Sequence, residues 1–473
     1  MSEAERIVAA LPEERLLEWV LEQRWFASKA REVAHIGVLE AVTLREQSPA
    51  LVLALVEARF HTGTHELYQL PLGLRPDDEE WGALVLADVE GQTVYDALAD
   101  AELGRELLGR LRGASEVEGE HGSIRFRSLG DGDGNGNGNG GGEAGGRTRG
   151  DADVRPVGVE QSNSSVVLGD ELILKVFRRL EPGVNPELEL LRFLSEREFE
   201  HIAPLTGWYE YSGRLVNATL GTLQRYLTGA HEGWALCLSD LEGFVPHARD
   251  LGAVTGRLHA CLGSAAGDPD FASEEPSTEN LSLLTATVDE EIERMFVDLD
   301  YDDPVLGRLA GRSLDVRERL QALSHIGAGG RLIRTHGDYH LGQTMLTDRG
   351  WVILDFEGEP ARSLPERRRK RSPLRDVAGI LRSFAYAASA AEQQSGVVAP
   401  EGWEERARAA FLEGYFEAVD SSLLPHGQAA IGKLLSVFEL EKAVYELRYE
   451  LNNRPDWVAI PVAGIERLLD ADE

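Results

Sequence analysis

An α+β fold in two parts, strand-rich first and helical second, is predicted by three features of this 473-residue sequence. Alternating apolar and polar residues recur at 33–44, 50–60 and 64–72, the two-residue period of antiparallel strands. From Gly233 onward the apolar spacing changes to the three-and-four pattern of helices. Between the two regimes lies one more apolar strand, 218–227, ending on Thr228-Gly229. A chain of this length exceeds one ordinary core, so two or three folding units are expected.

Each element has its own signal. Residues 1–23 read as one acidic amphipathic helix carrying Ile7, Val8, Leu11, Leu16, Leu17, Val20 and Leu21. Its acidic start and broken apolar run are not those of a signal peptide. Residues 130–150 hold little besides glycine, aspartate and asparagine, so they are expected to form a disordered loop rather than a phosphate cradle. A strand-turn-strand follows, 157–159 and then 165–177, turning at Gly169-Asp170. Asn185 and Pro186 open a helix over 186–196 as N-cap and first helical residue. Two short strands are expected around His336 and Asp355. The expected organisation is therefore an N-terminal cap region over 1–155, a nucleotide-binding part over 156–229, and a helical lobe over 230–473, with two lobes closing over a cleft.

Composition narrows the function. The formal charge of -33 leaves no basic excess for nucleic acid or an anionic membrane. Lysine and arginine must therefore gather locally wherever an anion is held. Cys237 and Cys261 are the only cysteines, which fits a reducing cytoplasm and no disulfide framework. No apolar run is long enough to span a bilayer. The sequence sets no oligomeric state beyond monomer or homodimer.

The chemistry concentrates in His336-Gly337-Asp338-Tyr339-His340-Leu341-Gly342-Gln343 and in Trp351–Glu357, WVILDFE. Phosphoryl transfer needs an aspartate beside the acceptor hydroxyl, an amide oxygen five residues on, and a second carboxylate on a following strand for magnesium. Asp338, Gln343 and Asp355 stand in that order and spacing. A polar-ended hairpin is the bland reading, but it does not explain an apolar strand that delivers Asp355-Phe356-Glu357. Upstream, Ser162, Asn163, Ser164 and Ser165 precede an apolar strand carrying Lys175, a residue able to reach ATP phosphates. Its expected acidic partner on the next helix is Glu189, with Glu187 as the fallback. The cofactors are thus ATP and Mg2+, with Asp338 and Lys175 catalytic and Gln343 and Asp355 on the metal.

These stretches, with RWFASKAR (24–31), ILKVFRRL (173–180), SPLRDVAGILRSF (372–384) and YELRYELNNRPDW (445–457), resemble the bacterial maltokinases, relatives of aminoglycoside phosphotransferase-like kinases. The resemblance spans nearly the whole chain. It implies a two-lobed protein-kinase-like fold with an N-terminal cap and a sugar held by the helical lobe. It also implies that maltose is phosphorylated at its anomeric hydroxyl to feed glucan synthesis. Substrate contacts are expected from His336, Asp338, Glu357, Arg448, Tyr449, Arg454 and Trp457. Ala385 stands where an acidic residue is common, and the segment after His231-Glu232-Gly233-Trp234 lacks a longer insertion that some maltokinases carry. Both departures bear on the sugar, and the same architecture serves actinobacterial glucosamine kinases. An aminoglycoside phosphotransferase and a nucleotide binder without catalysis also fit the motifs.

Three further features have plainer readings. Tyr445, Tyr449, Asn452 and Asn453 share a helix face that is either core or a sugar platform. The basic run 367–371, RRRKR, reads as a solvated loop or as a guide for an anion. His259 reads as a helix-packing residue, and no Cys/His spacing suggests zinc.

Overall fold

The computed structural model describes residues 1–76, 84–129, 154–157, 163–277, 286, 289–290, 292–321, 330–360 and 362–470. The glycine-rich stretch 130–150 and Ser162 fall outside them. The chain divides into two compact units, one of Met1–Ser195 with Ala203–Thr228, the other of Glu196–Ile202 with Gly229–Glu473.

The first unit opens with two helices, α1 (Glu3–Ala9) and α2 (Glu13–Glu22). The single helix expected over 1–23 is broken because Pro12 sits in an extended conformation as N-cap of α2. Strands β1 (Val33–Arg45), β2 (Ala50–Phe60), β3 (His65–Arg75), β4 (Val85–Val89) and β5 (Gln92–Asp96) follow, then helix α3 (Ala101–Arg112). They form an antiparallel sheet in the order β1-β2-β3-β5-β4. Next come β6 (Glu116–Glu118), β7 (Gly122–Ser128), β8 (Val154–Pro156), β9 (Ser164–Leu168), β10 (Leu172–Val176) and β11 (Arg179–Leu180). Helix α4 (Pro186–Glu196) and strands β12 (Leu205–Gly213) and β13 (Asn217–Arg225) complete the unit. The second sheet runs β6-β7-β12-β13-β10-β9-β8, while β11 joins the first sheet on β3. Strands β6 and β7 lie inside the expected cap region yet pair into this nucleotide-side sheet through β12.

Strand period explains the layering. In β2, Leu51, Leu53 and Leu55 enter one core with Leu174, Val176 and Tyr209 of the second sheet. Val52, Ala54 and Val56 enter the other, under α1, α2, Trp25 and Phe26. The RWFASKAR stretch therefore begins as packing: Trp25 and Phe26 both meet Tyr68.

The second unit begins with β14 (His231–Glu232), α5 (Gly233–Ser239) and α6 (Leu241–Leu262). Helices α7 (Ser313–Gln321), α8 (Leu364–Arg367), α9 (Leu374–Ser395), α10 (Trp403–Ala418), α11 (Gln428–Asn453) and α12 (Ala459–Asp470) follow. A three-stranded sheet, β14-β15-β16, uses β15 (Thr344–Thr347) and β16 (Gly350–Ile353). These are the two short strands expected, but both lie after His336, which sits in irregular chain. Helices α6 and α10 approach closely because Gly252 faces the Phe411 carbonyl and Gly414 faces that of Arg249. A Cβ at either position collides with backbone. Among the described residues no helix is long and apolar enough to cross a membrane.

Candidate functional site

In the first unit, Lys175 lies on β10 opposite Ser165 of β9 and Thr222 of β13. Its Nζ stands 2.8 Å from Oε2 of Glu187, with the carboxylate side chain 2% exposed. The structure thus gives Lys175 the fallback partner. Glu187 is in the first turn of α4, where Asn185 caps its N–H at 2.8 Å, and that turn fixes the carboxylate toward β10. Glu189, the residue favoured by sequence, is half-buried two positions on, a different direction around the helix.

Ser164 and Ser165 begin β9, and Asn163 and Ser165 are buried. Ser164 Oγ accepts a hydrogen bond from Arg178 Nε at 2.9 Å, and Arg178 Nη2 donates to Asp96 at 2.6 Å. Gln69 of β3 donates to the carbonyls of Phe177 and Leu220. The first sheet therefore holds both the strand with Lys175 and the strand with Ser164.

In the second unit, Asp338 sits on a loop held by one face of α9. Asp376, Gly379 and Ser383 are spaced three and four apart, so they line that face. Asp376 accepts the N–H groups of His336 at 2.8 Å and Gly337 at 3.0 Å. Gly379 lets the Tyr339 carbonyl approach where a Cβ collides. Ser383 Oγ accepts the Leu341 N–H at 3.2 Å. Asp376 is itself met by His259 Nε2 at 3.2 Å, and His259 Nδ1 contacts the Tyr415 hydroxyl at 3.0 Å. Burial alone raises the Asp376 carboxyl; His259, His336 and the Gly337 amide outweigh it and hold it below the usual range. The packing role expected of His259 is this contact. Sequence reasoning missed Asp376, although Asp, Gly and Ser at helical spacing were a readable signal.

The metal candidates converge. Strand β16 ends at Ile353, and Asp355 follows with φ of 58°, a left-handed conformation unusual for a non-glycine residue. That turn brings Asp355 Oδ2 within 3.1 Å of Gln343 Nε2. Both side chains are half-buried and present further oxygens.

The expected substrate residues divide. His336 is 1% exposed, its Nε2 meets the Leu354 carbonyl at 2.8 Å, and its ring packs on Tyr339 and Phe356. This corrects the substrate expectation: it orders the loop instead. Asp338 keeps a partly exposed carboxylate, 3.1 Å from Lys442 Nζ, which also meets Glu359 at 3.3 Å. A pocket opens here, lined by Gly337, Tyr339, Glu359, Lys442, Tyr445 and Arg448 among others. Glu357 is held by Arg367, whose Nη1 donates to its carbonyl at 3.1 Å. Of the expected substrate residues Arg448 lines that pocket; His336, Asp338 and Glu357 lie close to its lining residues in the chain, and outside it stand Tyr449, Arg454 and Trp457. They belong to a neighbouring cluster: Arg454 chelates Glu450 and covers Tyr449 and Trp457, and Trp457 stacks on Tyr386. Ala385 is buried on α9. Of the run 367–371, Arg371 lines the pocket while Lys370 binds the Pro269 carbonyl and Glu274. Lys442 and Glu359 escaped the sequence reading because neither belongs to a motif that phosphoryl transfer requires.

Comparison with known proteins adds a family. A model described as the maltokinase N-terminal cap domain matches residues 19–100. One described as the phosphotransferase enzyme family matches residues 153–418, more than half of the chain. A glucosamine kinase of Streptacidiphilus jiangxiensis is 25% identical over 334 residues, covering 67% of this chain and 73% of that protein. One of Mycolicibacterium smegmatis (strain ATCC 700084 / mc(2)155) is 25% identical over 330 residues, covering 67% and 79%. A solved glucosamine kinase in complex with glucosamine, ADP and inorganic phosphate superposes with a TM-score of 0.69 at 19% identity, covering 99% of both chains. A second crystal form of glucosamine kinase gives the same TM-score and covers 100% of its own chain. The likeness in structure shows the two-part kinase-like fold with its sheet cap and helical C-terminal region.

Proposed function

The chain belongs to the phosphotransferase enzyme family, and from that premise we propose that it transfers the γ-phosphoryl group of ATP to the anomeric hydroxyl of maltose. Asp338 accepts the hydroxyl proton, the sugar oxygen bonds to the γ-phosphorus, the β–γ bridging bond breaks, and ADP leaves with maltose 1-phosphate as co-product. Lys175, oriented by Glu187, serves the nucleotide phosphates. Gln343 and Asp355 would hold magnesium: each offers a hard oxygen donor, an amide and a carboxylate oxygen, and Gln343 Nε2 donating to Asp355 Oδ2 keeps the two side chains together. When bound, the cation supplies positive charge to the phosphate oxygens. With both cysteines free, the enzyme suits the cytoplasm.

One observation carries the choice of a neutral sugar. The partly buried carboxylates on the acceptor side already have cations of the protein: Asp338 and Glu359 share Lys442, Glu357 faces Arg367, Glu446 pairs with Arg382, and Glu450 with Arg454. Asp456 is exposed. Among these carboxylates a protonated amine would find none without a cation of the protein, and a polyol needs none. Glucosamine kinase is the second reading, favoured by the names of the two relatives. A coupled ADP-release assay with maltose, glucose and glucosamine tests the choice. A non-catalytic binder is disfavoured because Lys175, Asp338 and Asp355 are all present.

A further inference from the structure

The pocket beside Asp338 holds an excess of cations. Its walls include Arg362, Arg371, Arg375, Lys442 and Arg448, against the carboxylates of Glu359, Asp376 and Glu441. Arg362 pairs with Glu359, Arg375 with Glu441, and Lys442 with Asp338 and Glu359. Asp376 is engaged by His259 and two backbone amides. Among the described residues neither Arg371 nor Arg448 has a carboxylate partner. Arg371 Nη2 donates only to the Glu366 carbonyl at 3.3 Å, and Arg448 lies 5.7 Å over the Tyr445 ring.

The titration of Arg371 points to the same excess, and that of Lys442 to the carboxylates it neutralises. Burial, with Arg375 and Arg362 beside it, outweighs Glu441 and Glu359 and pushes the Arg371 guanidinium down to about 10. Burial also opposes the charge on Lys442, but Asp338 and Glu359 outweigh it and raise the ammonium above its ordinary range. Lys442 is therefore a fixed cation next to the proton acceptor, and the wall behind it repels further positive charge.

We propose that Lys442 and Arg371 make the acceptor pocket a charge filter that excludes protonated aminosugars, with Lys442 filling the place beside Asp338 that a substrate ammonium would take. The proposal rests on the neutral-sugar reading above and names the residues that enforce it. Juxtaposed like charges act by rejecting the wrong ligand, so removing one admits it without adding any contact to the right one.

The test measures specificity constants for maltose and glucosamine in the full-length wild type, Lys442→Met and Arg371→Gln. Because Lys442 also touches Asp338, turnover of both sugars falls in Lys442→Met, and the ratio between them is the readout. The glucosamine-to-maltose ratio rises at least about tenfold in Lys442→Met, through the KM for glucosamine, and about threefold in Arg371→Gln. Arg371→Gln decides alone should Lys442→Met fail to fold. A ratio within about twofold of wild type in the folded variants, or glucosamine turnover undetectable throughout, overturns the proposal. A wild type that prefers glucosamine contradicts the maltose reading itself, which is a separate result from an unmoved ratio.

Discussion

Asp376 Oδ2 accepts the backbone N–H of His336 at 2.8 Å, so a side chain on α9 sets the path of the loop that presents Asp338. Asp376 touches no reacting group; it is a positioning residue. Asp376→Asn keeps the shape but trades a carboxylate oxygen for a donor that faces an N–H. Its kcat falls by about 10- to 100-fold, since small misplacements of a reacting group are costly, while the KM for ATP stays within about twofold. Steady-state kinetics in both substrates check this. An unchanged kcat shows that Asp376 does not position the loop for catalysis.

Glu187, 2.8 Å from Lys175, is the carboxylate that orients it. Glu187→Gln removes the charge from this contact, and the KM for ATP rises by about tenfold or more. Glu189→Gln serves as the comparison. If Glu189→Gln carries the loss and Glu187→Gln is silent, Glu187 is not the partner.

Much of this was legible in the sequence, for particular reasons. Gln343 and Asp355 flank one short hairpin, β15–β16, and Asp338 stands just before it, so their spacing along the chain goes far toward fixing their spacing in space. Lys175 was legible because a lysine on an apolar strand stands out. Glu187 ranked only as the fallback because the choice between Glu187 and Glu189 depends on the rotation of α4, which Asn185 and Pro186 bound but do not set. Lys442 and Asp376 were missed because they reach the loop from helices 104 and 40 residues away in sequence. Pairings that distant leave no local period to read. Strand β12, with Trp208, Tyr209 and Tyr211 at alternating depths of burial, was overlooked although its alternation is regular.

The Glu359 carboxyl links the site to acid stability. Burial alone raises it, but Lys442 and Arg362 outweigh burial and hold it at about 2, against an ordinary 4.5. A carboxyl depressed on folding contributes stability that is present above about pH 4.5 and is lost as pH falls toward about 2. The separation corresponds to about 3 kcal/mol. In urea unfolding, wild type is therefore more stable than Glu359→Gln near pH 7, and the gap narrows as pH falls from about 5 to about 3. A gap that does not change with pH shows that Glu359 is not the group responsible.

The central claim is that Asp338 takes the proton of a neutral sugar hydroxyl as ATP is cleaved. The most direct measurement is ADP release with magnesium, for wild type and Asp338→Asn, over maltose, glucose and glucosamine. Wild type shows its highest specificity constant with maltose, and Asp338→Asn loses turnover by about 100-fold or more while calorimetry finds ATP binding retained. Near wild-type turnover in Asp338→Asn, or no sugar-dependent ADP release from wild type, would contradict it.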